Sequence, residues 1–167
     1  MERTGFTPTH DGAGILIARL FFVALVLLGC SSPNTSLPYP LTISEEGLNA
    51  IHPDTPFDQI TNAMSGFEFE KLSQISSDQS NTILQMKRGN SLIAQIVSDP
   101  TGKKVSEIYI LSPLIKNKQG LGLGESFPQN DQIHCNATEC ISKNEPSVHY
   151  RIDPVNRTIL EITFSRL

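Results

Sequence analysis

The stretch from Leu20 to Cys30, LFFVALVLLGC, constrains the chain more than any other part. Its first nine residues are apolar, Arg3 and Arg19 precede it, and it ends Leu27-Leu28-Gly29-Cys30. A basic region, a short apolar run and small residues at the cut describe a secretory signal peptide. A membrane span needs about 20 apolar residues. Adding Ile15, Leu16, Ile17 and Ala18 does not supply them, because Arg19 interrupts.

The Leu-Leu-Gly-Cys ending looks like a bacterial lipobox. In such signals the chain is cut between Gly29 and Cys30 and a lipid is joined to the Cys30 thiol. The alternative is an ordinary cleaved or buried cysteine. Ser31 follows, where Asp would hold such a protein at the inner membrane, so the expected location is the periplasmic face of the outer membrane. Two or three acyl chains anchor stably where one does not. This predicts a signal peptide over 1–29, a lipid-anchored flexible tether over 30–40 containing the polar run SSPNTSLPY, and a single periplasmic domain over 41–167. Thirteen Lys+Arg against seventeen Asp+Glu, with no basic run, argue against a nucleic-acid partner.

With Cys30 acylated, Cys135 and Cys140 remain. In an oxidising periplasm two thiols at this spacing are expected to pair. Metal binding with His134 and Glu139, or free thiols, are the alternatives. A C-x4-C pair with one neighbouring His lacks a fourth zinc ligand, so no metal and no cofactor is expected.

Leu41–Ser44 reads as a first short strand. Thr55 then suits a helix cap and Pro56 the first helical position. Phe57, Ile60 and Met64 share one face, and Ser65-Gly66 ends the helix. Strand patterns follow at Phe67–Ile75, Thr82–Lys87, Ser91–Ser98 and Val105–Leu111. Between them lie the turns SSDQS, Arg88-Gly89-Asn90 and Asp99-Pro100-Thr101-Gly102. A loop over 112–124 ends in Gly120-Leu-Gly-Leu-Gly124. A second short helix is expected from Ser126 to His134, then strands at Val148–Ile152 and Thr158–Phe164, joined by Asp153-Pro154-Val155-Asn156. Glu46-Gly47-Leu48 with Thr55-Pro56-Phe57 is echoed by Gln119-Gly120-Leu121 with Glu125-Ser126-Phe127. The predicted class is α+β: an antiparallel meander with two short helices in two similar lobes.

Catalytic constellations are poor. His52-Pro53-Asp54 matches the J-domain tripeptide, but the basic helix that motif needs is missing, so chance is the better reading. Gly120–Gly124 lacks the spacing of a dinucleotide fingerprint and reads as a turn. No Gly-x-Ser-x-Gly elbow exists, and the acids do not single out a glycosidase pair. His134, placed at a helix end, and His149, on the solvent face of a strand, read as structural. Three Asn-x-Ser/Thr triplets, at Asn34, Asn136 and Asn156, are chance matches in a bacterial chain. No catalytic residue is assigned.

The segments Ile43-Ser-Glu-Glu-Gly-Leu48, Thr55-Pro-Phe57, Ala63-Met-Ser-Gly66 and Gly124-Glu-Ser-Phe127, with Cys135, Cys140 and Ser147–Ile152, resemble an enterobacterial outer-membrane lipoprotein family. That family is regulated by the envelope-stress factor sigma E, and its domain has no known function. The resemblance covers about 41–167, departs in a tighter cysteine loop and a shorter C-terminal region, and implies an α+β periplasmic domain on a lipid anchor. It supplies no catalytic residues. The expected function is a non-enzymatic module that binds an envelope protein partner in envelope maintenance or stress response. The alternative is a module for a small ligand, glycan or lipid.

Overall fold

A computed structural model describes residues 40–76, 79–130 and 132–166. The predicted signal peptide over 1–29, the predicted cleavage pair Gly29 and Cys30 with the expected lipidation at Cys30, and residues 31–39 of the predicted tether lie outside the described residues.

The fold is mostly β. Strands β1 (Thr42–Ser44) and β2 (Gly47–Leu48) form a tight antiparallel pair. A 3-10 turn at Phe57–Gln59 runs into the single short helix among the described residues, α1 (Ile60–Ala63). Then come β3 (Glu68–Ser76), β4 (Gln79–Arg88), β5 (Ser91–Ser98), β6 (Val105–Ile110) and β7 (Lys116–Asn117). The chain closes with β8 (Ile133–Cys135), β9 (Glu139–Ser142), β10 (Glu145–Ile152) and β11 (Ile159–Ser165). One sheet has eight strands in the order β3-β4-β5-β6-β11-β10-β9-β8, and a smaller one has the order β2-β1-β7. All neighbours in the large sheet are antiparallel, whereas β7 joins β1 in parallel.

This corrects the α+β expectation. The first helix shrinks because its cap is used elsewhere: the Thr55 hydroxyl accepts the His52 N–H at 2.9 Å, and no side chain caps the turn. At Met64 the backbone leaves the helical region, with φ −129° and ψ 89°. Phe57, Ile60 and Met64 are nevertheless all buried, as their spacing requires. The second helix, expected over Ser126–His134, does not form among the described residues. Phe127 N–H donates to Arg157 O at 2.9 Å and Ser126 bridges Thr158, so that segment spends its backbone groups on the approach to β11. Pro128 also pushes Phe127 away from helical dihedrals. His134 therefore lies in a strand, not at a helix end.

The two-lobe expectation fails as well. There are two four-stranded meanders, β3–β6 and β8–β11, but β6 pairs with β11 through Ile110↔Ile162 and Ile108↔Phe164, making one continuous sheet. The echoed segments differ in local structure. Gly47 opens β2, while Gly120 lies in a turn and Glu125–Phe127 forms no helix. Gly47 itself cannot be replaced by a larger residue: its φ is +113°, and a Cβ there would lie 2.2 Å from Ile51 O.

The register explains the core. Phe69, Met86, Ala94, Ile110, Ile162, Tyr150, Cys140 and Cys135 pair in unbroken succession across all eight strands. The row one residue away on each strand is Glu70, Gln85, Gln95, Tyr109, Thr163, His149, Ile141 and His134. Because side chains alternate faces along a strand, the apolar row turns inward and the largely polar row turns outward. The inward face joins Ile43, Leu48, Ile51, Ile60, Ile115 and Phe127 in one core cluster. Asp99 closes the β5–β6 turn, its Oδ1 accepting from Lys103 N and Lys104 N and its Oδ2 from the Thr101 hydroxyl.

Candidate binding pocket

The return from β6 to β8 builds a pocket. β7 places Asn117 beside Ile43 of β1, and its backbone N–H reaches Leu121 O at 2.8 Å. The Asn117 Oδ1 accepts from Gln119 N (3.0 Å) and Leu121 N (2.9 Å), which curls the loop. Gly120 and Gly124 both take φ of +83°, and Gly124 N–H donates to Ile159 O. The glycine-rich run thus forms turns, tied to the sheet at its far end.

Beneath this loop lies a polar cluster that neither periodicity nor motif reveals. Asn117, 6% exposed, donates from Nδ2 to Tyr150 Oη at 2.9 Å and to Glu145 Oε2 at 3.2 Å. Glu145 is only 4% exposed, and this burial raises its carboxyl above the usual range. The nearby Glu45 charge adds to that rise, while Asn117 and Lys118 oppose it. Burial likewise raises the Tyr150 phenol. Glu45 holds the start of β10, accepting from Ser147 N at 2.7 Å and from the Ser147 hydroxyl. In the sequence Glu145 lies outside the predicted strand Val148–Ile152, and nothing local marks it. Only the fold shows that it is buried.

The pocket above has a volume of about 420 Å³, within the range of small-ligand sites. Its floor is the Phe127–Tyr150 pair, with ring centroids 4.8 Å apart and planes inclined at 49°. Leu121 and Ile133 form apolar walls, and carboxamides from the loop, from the segment before β8 and from the β9–β10 turn line its rim. Cys135 and Cys140 are joined by a disulfide and are opposite partners in the β8–β9 register. The disulfide therefore holds the strand that carries Ile133.

A second, more charged depression of about 620 Å³ is lined by Glu45, Glu46, His52, Pro53, Asp54, Thr55 and Arg166. Here His52 Nδ1 contacts Glu46 O at 2.8 Å, and Asp54 pairs with Lys104 and Arg166, which hold its carboxyl below the usual range. His134 and His149 are in the outward row of the large sheet, apart from both depressions. His149 Nε2 is enclosed without a hydrogen-bond partner among the described residues. Among the described residues no cluster of three or more His, Cys, Asp or Glu could hold a metal, and no helix is long and apolar enough to cross a membrane.

The described chain is an antiparallel β protein built on one eight-stranded sheet, with a binding-sized pocket at the β8–β10 end. The architecture is shared with an uncharacterized protein, yfeY from Escherichia coli, known from a crystal structure, at a TM-score of 0.59. The match covers 75% of this chain and 99% of that one at 15% identity, so the likeness is one of fold. No family model matches this chain, and no curated protein does.

Proposed function

We propose that the protein is a lipid-anchored binding module of the bacterial envelope, acylated at Cys30 and held at the periplasmic face of the outer membrane. Its domain is non-enzymatic and serves envelope maintenance or stress response by binding a small ligand in the pocket floored by Phe127 and Tyr150. The pocket supports this reading over a purely protein-binding surface: it couples apolar walls with a polar rim, the combination that buries a ligand and orients it. The leader and the Leu-Leu-Gly-Cys ending support the anchor. A second reading, an envelope protein partner, draws on the nine-residue strand β3, whose outer edge has no partner strand among the described residues and could accept a strand from another chain.

Thermal unfolding of the full-length protein against neutral saccharides, capped peptides, lipids and metal ions tests the pocket reading. A ligand should raise the midpoint in proportion to the logarithm of its concentration, and Gln132→Trp, at an exposed lining position, should abolish the rise. No rise with any probe, or a rise that survives Gln132→Trp, rejects the pocket. In-cell crosslinking would then look for the protein partner.

A further inference from the structure

The two depressions differ in charge. The second is lined by Glu45, Glu46, Asp54 and Arg166, whereas no charged side chain lines the first among the described residues. Five carboxamides line the first instead: Asn117, Gln119, Asn130, Gln132 and Asn144. Of the described charged residues next to its lining positions, Lys118 and Lys143 do not line it, and Glu145 lies buried against Asn117.

Not all five carboxamides are free to meet a ligand. Asn117 spends both ends of its amide on the fold, and Asn130 Oδ1 accepts from Gln132 N at 2.9 Å. The side chains of Gln119, Gln132 and Asn144 make no hydrogen bond among the described residues, and all three residues are exposed. A carboxamide both donates and accepts, so it matches a hydroxyl, which does the same. A carboxylate or phosphate calls for cationic donors, and the buried Glu145 below would repel it. A cation calls for carboxylates at the rim, and there are none among the described residues. Leu121 and Ile133 over the Phe127–Tyr150 pair offer an apolar surface suited to the C–H face of a sugar ring. An extended peptide would need a strand edge to pair with, and the edge strand at this pocket, β8, is only three residues long.

We infer that this pocket binds an uncharged saccharide, with the carboxamides of Gln119, Gln132 and Asn144 holding its hydroxyls. The inference rests on the pocket reading above and names its ligand class.

The side-chain amide NMR signals of Gln119, Gln132 and Asn144 in the full-length protein, held in detergent, test it. The probes are chitotriose and cellotriose as neutral saccharides, trigalacturonate as an anionic one, and N-acetyl-trialanine amide as a neutral peptide. At least one neutral saccharide should move all three signals, with trigalacturonate about tenfold weaker or inert. Gln132→Ala and Asn144→Ala should each weaken the binding about threefold to tenfold, as the loss of one hydrogen bond does, with an unchanged unfolding midpoint. Movement with the capped peptide alone overturns the saccharide and leaves the pocket reading in place. Trigalacturonate binding as tightly as the neutral sugars overturns the uncharged class. Saccharide binding indifferent to both substitutions overturns the assigned contacts. No movement with any probe overturns the saccharide and counts against the pocket itself.

Discussion

Glu145 is an acid that the fold keeps from water, 4% exposed and hydrogen-bonded by Asn117 Nδ2. Its carboxyl is raised in the folded state, chiefly by burial. Between its unfolded value, 4.5, and that raised value the folded protein holds the proton more tightly, so stability falls as pH rises through this window. The cost is absent below the unfolded value and fully present above the folded one. Glu145→Gln keeps the shape and the acceptor for Asn117 while removing the charge. The variant should unfold at a higher temperature than the parent at pH 7.5, and the gap should close as pH falls to about 4. Melting both proteins across that range checks this, and parallel curves would reject it. Little of the residue-scale detail could be read beforehand. Glu145 looks like any surface acid in the sequence, and Asn117 like any loop residue. Each is decided by which strand lies next to it: β1 beside β7, and β10 beneath the loop.

The edge of the large sheet is held by a bond close in sequence. Cys135 and Cys140 face each other across β8 and β9, closing a loop of six residues that is worth about 2 kcal/mol in the chain-entropy account. The double variant Cys135→Ser/Cys140→Ser should lose about 2 kcal/mol of unfolding free energy in urea. It should also weaken any pocket ligand, because β8 carries Ile133. An unchanged urea midpoint would contradict the account. The elements themselves were partly legible. β5 spans Ser91–Ser98, the bounds its pattern predicts, and the Asp99–Gly102 turn closes as its residues require. β4 runs three residues further back than its pattern suggested, starting at Gln79, because pairing with β3 continues to Ser76↔Gln79. The segment from Ser126 to His134 misleads for a similar reason. Its polar residues suit a helix end, but Thr158 and Arg157 offer partners from distant sequence, and those pairings win.

For the whole molecule, the proposed anchor makes a direct prediction. Cys30→Ser should remove the protein from the outer-membrane fraction, since the acyl chains supply the affinity for that membrane. Immunoblots of separated inner-membrane, outer-membrane and periplasmic fractions would show it, and a variant still in the outer-membrane fraction would refute acylation at Cys30. Address and architecture were read from different kinds of information. The apolar run, its basic flank and Gly29-Cys30 are contiguous, so the proposed export signal and anchoring thiol rest on the sequence alone. Alternation in the last strand groups Leu160 with Ile162 and Phe164, and only in part correctly: Ile162 and Phe164 are buried, but a register shift puts Ile159 inward and leaves Leu160 exposed. Pairing is not local. Two meanders could have packed as separate lobes, and it is the β6–β11 register, between residues more than fifty positions apart, that welds them into one sheet. The same nonlocal pairing ties Ser126 and Phe127 to the approach to β11, buries Glu145 and gathers uncharged amides around one pocket. Tertiary structure alone decided these, because each depends on a hydrogen-bond partner that the local sequence does not name.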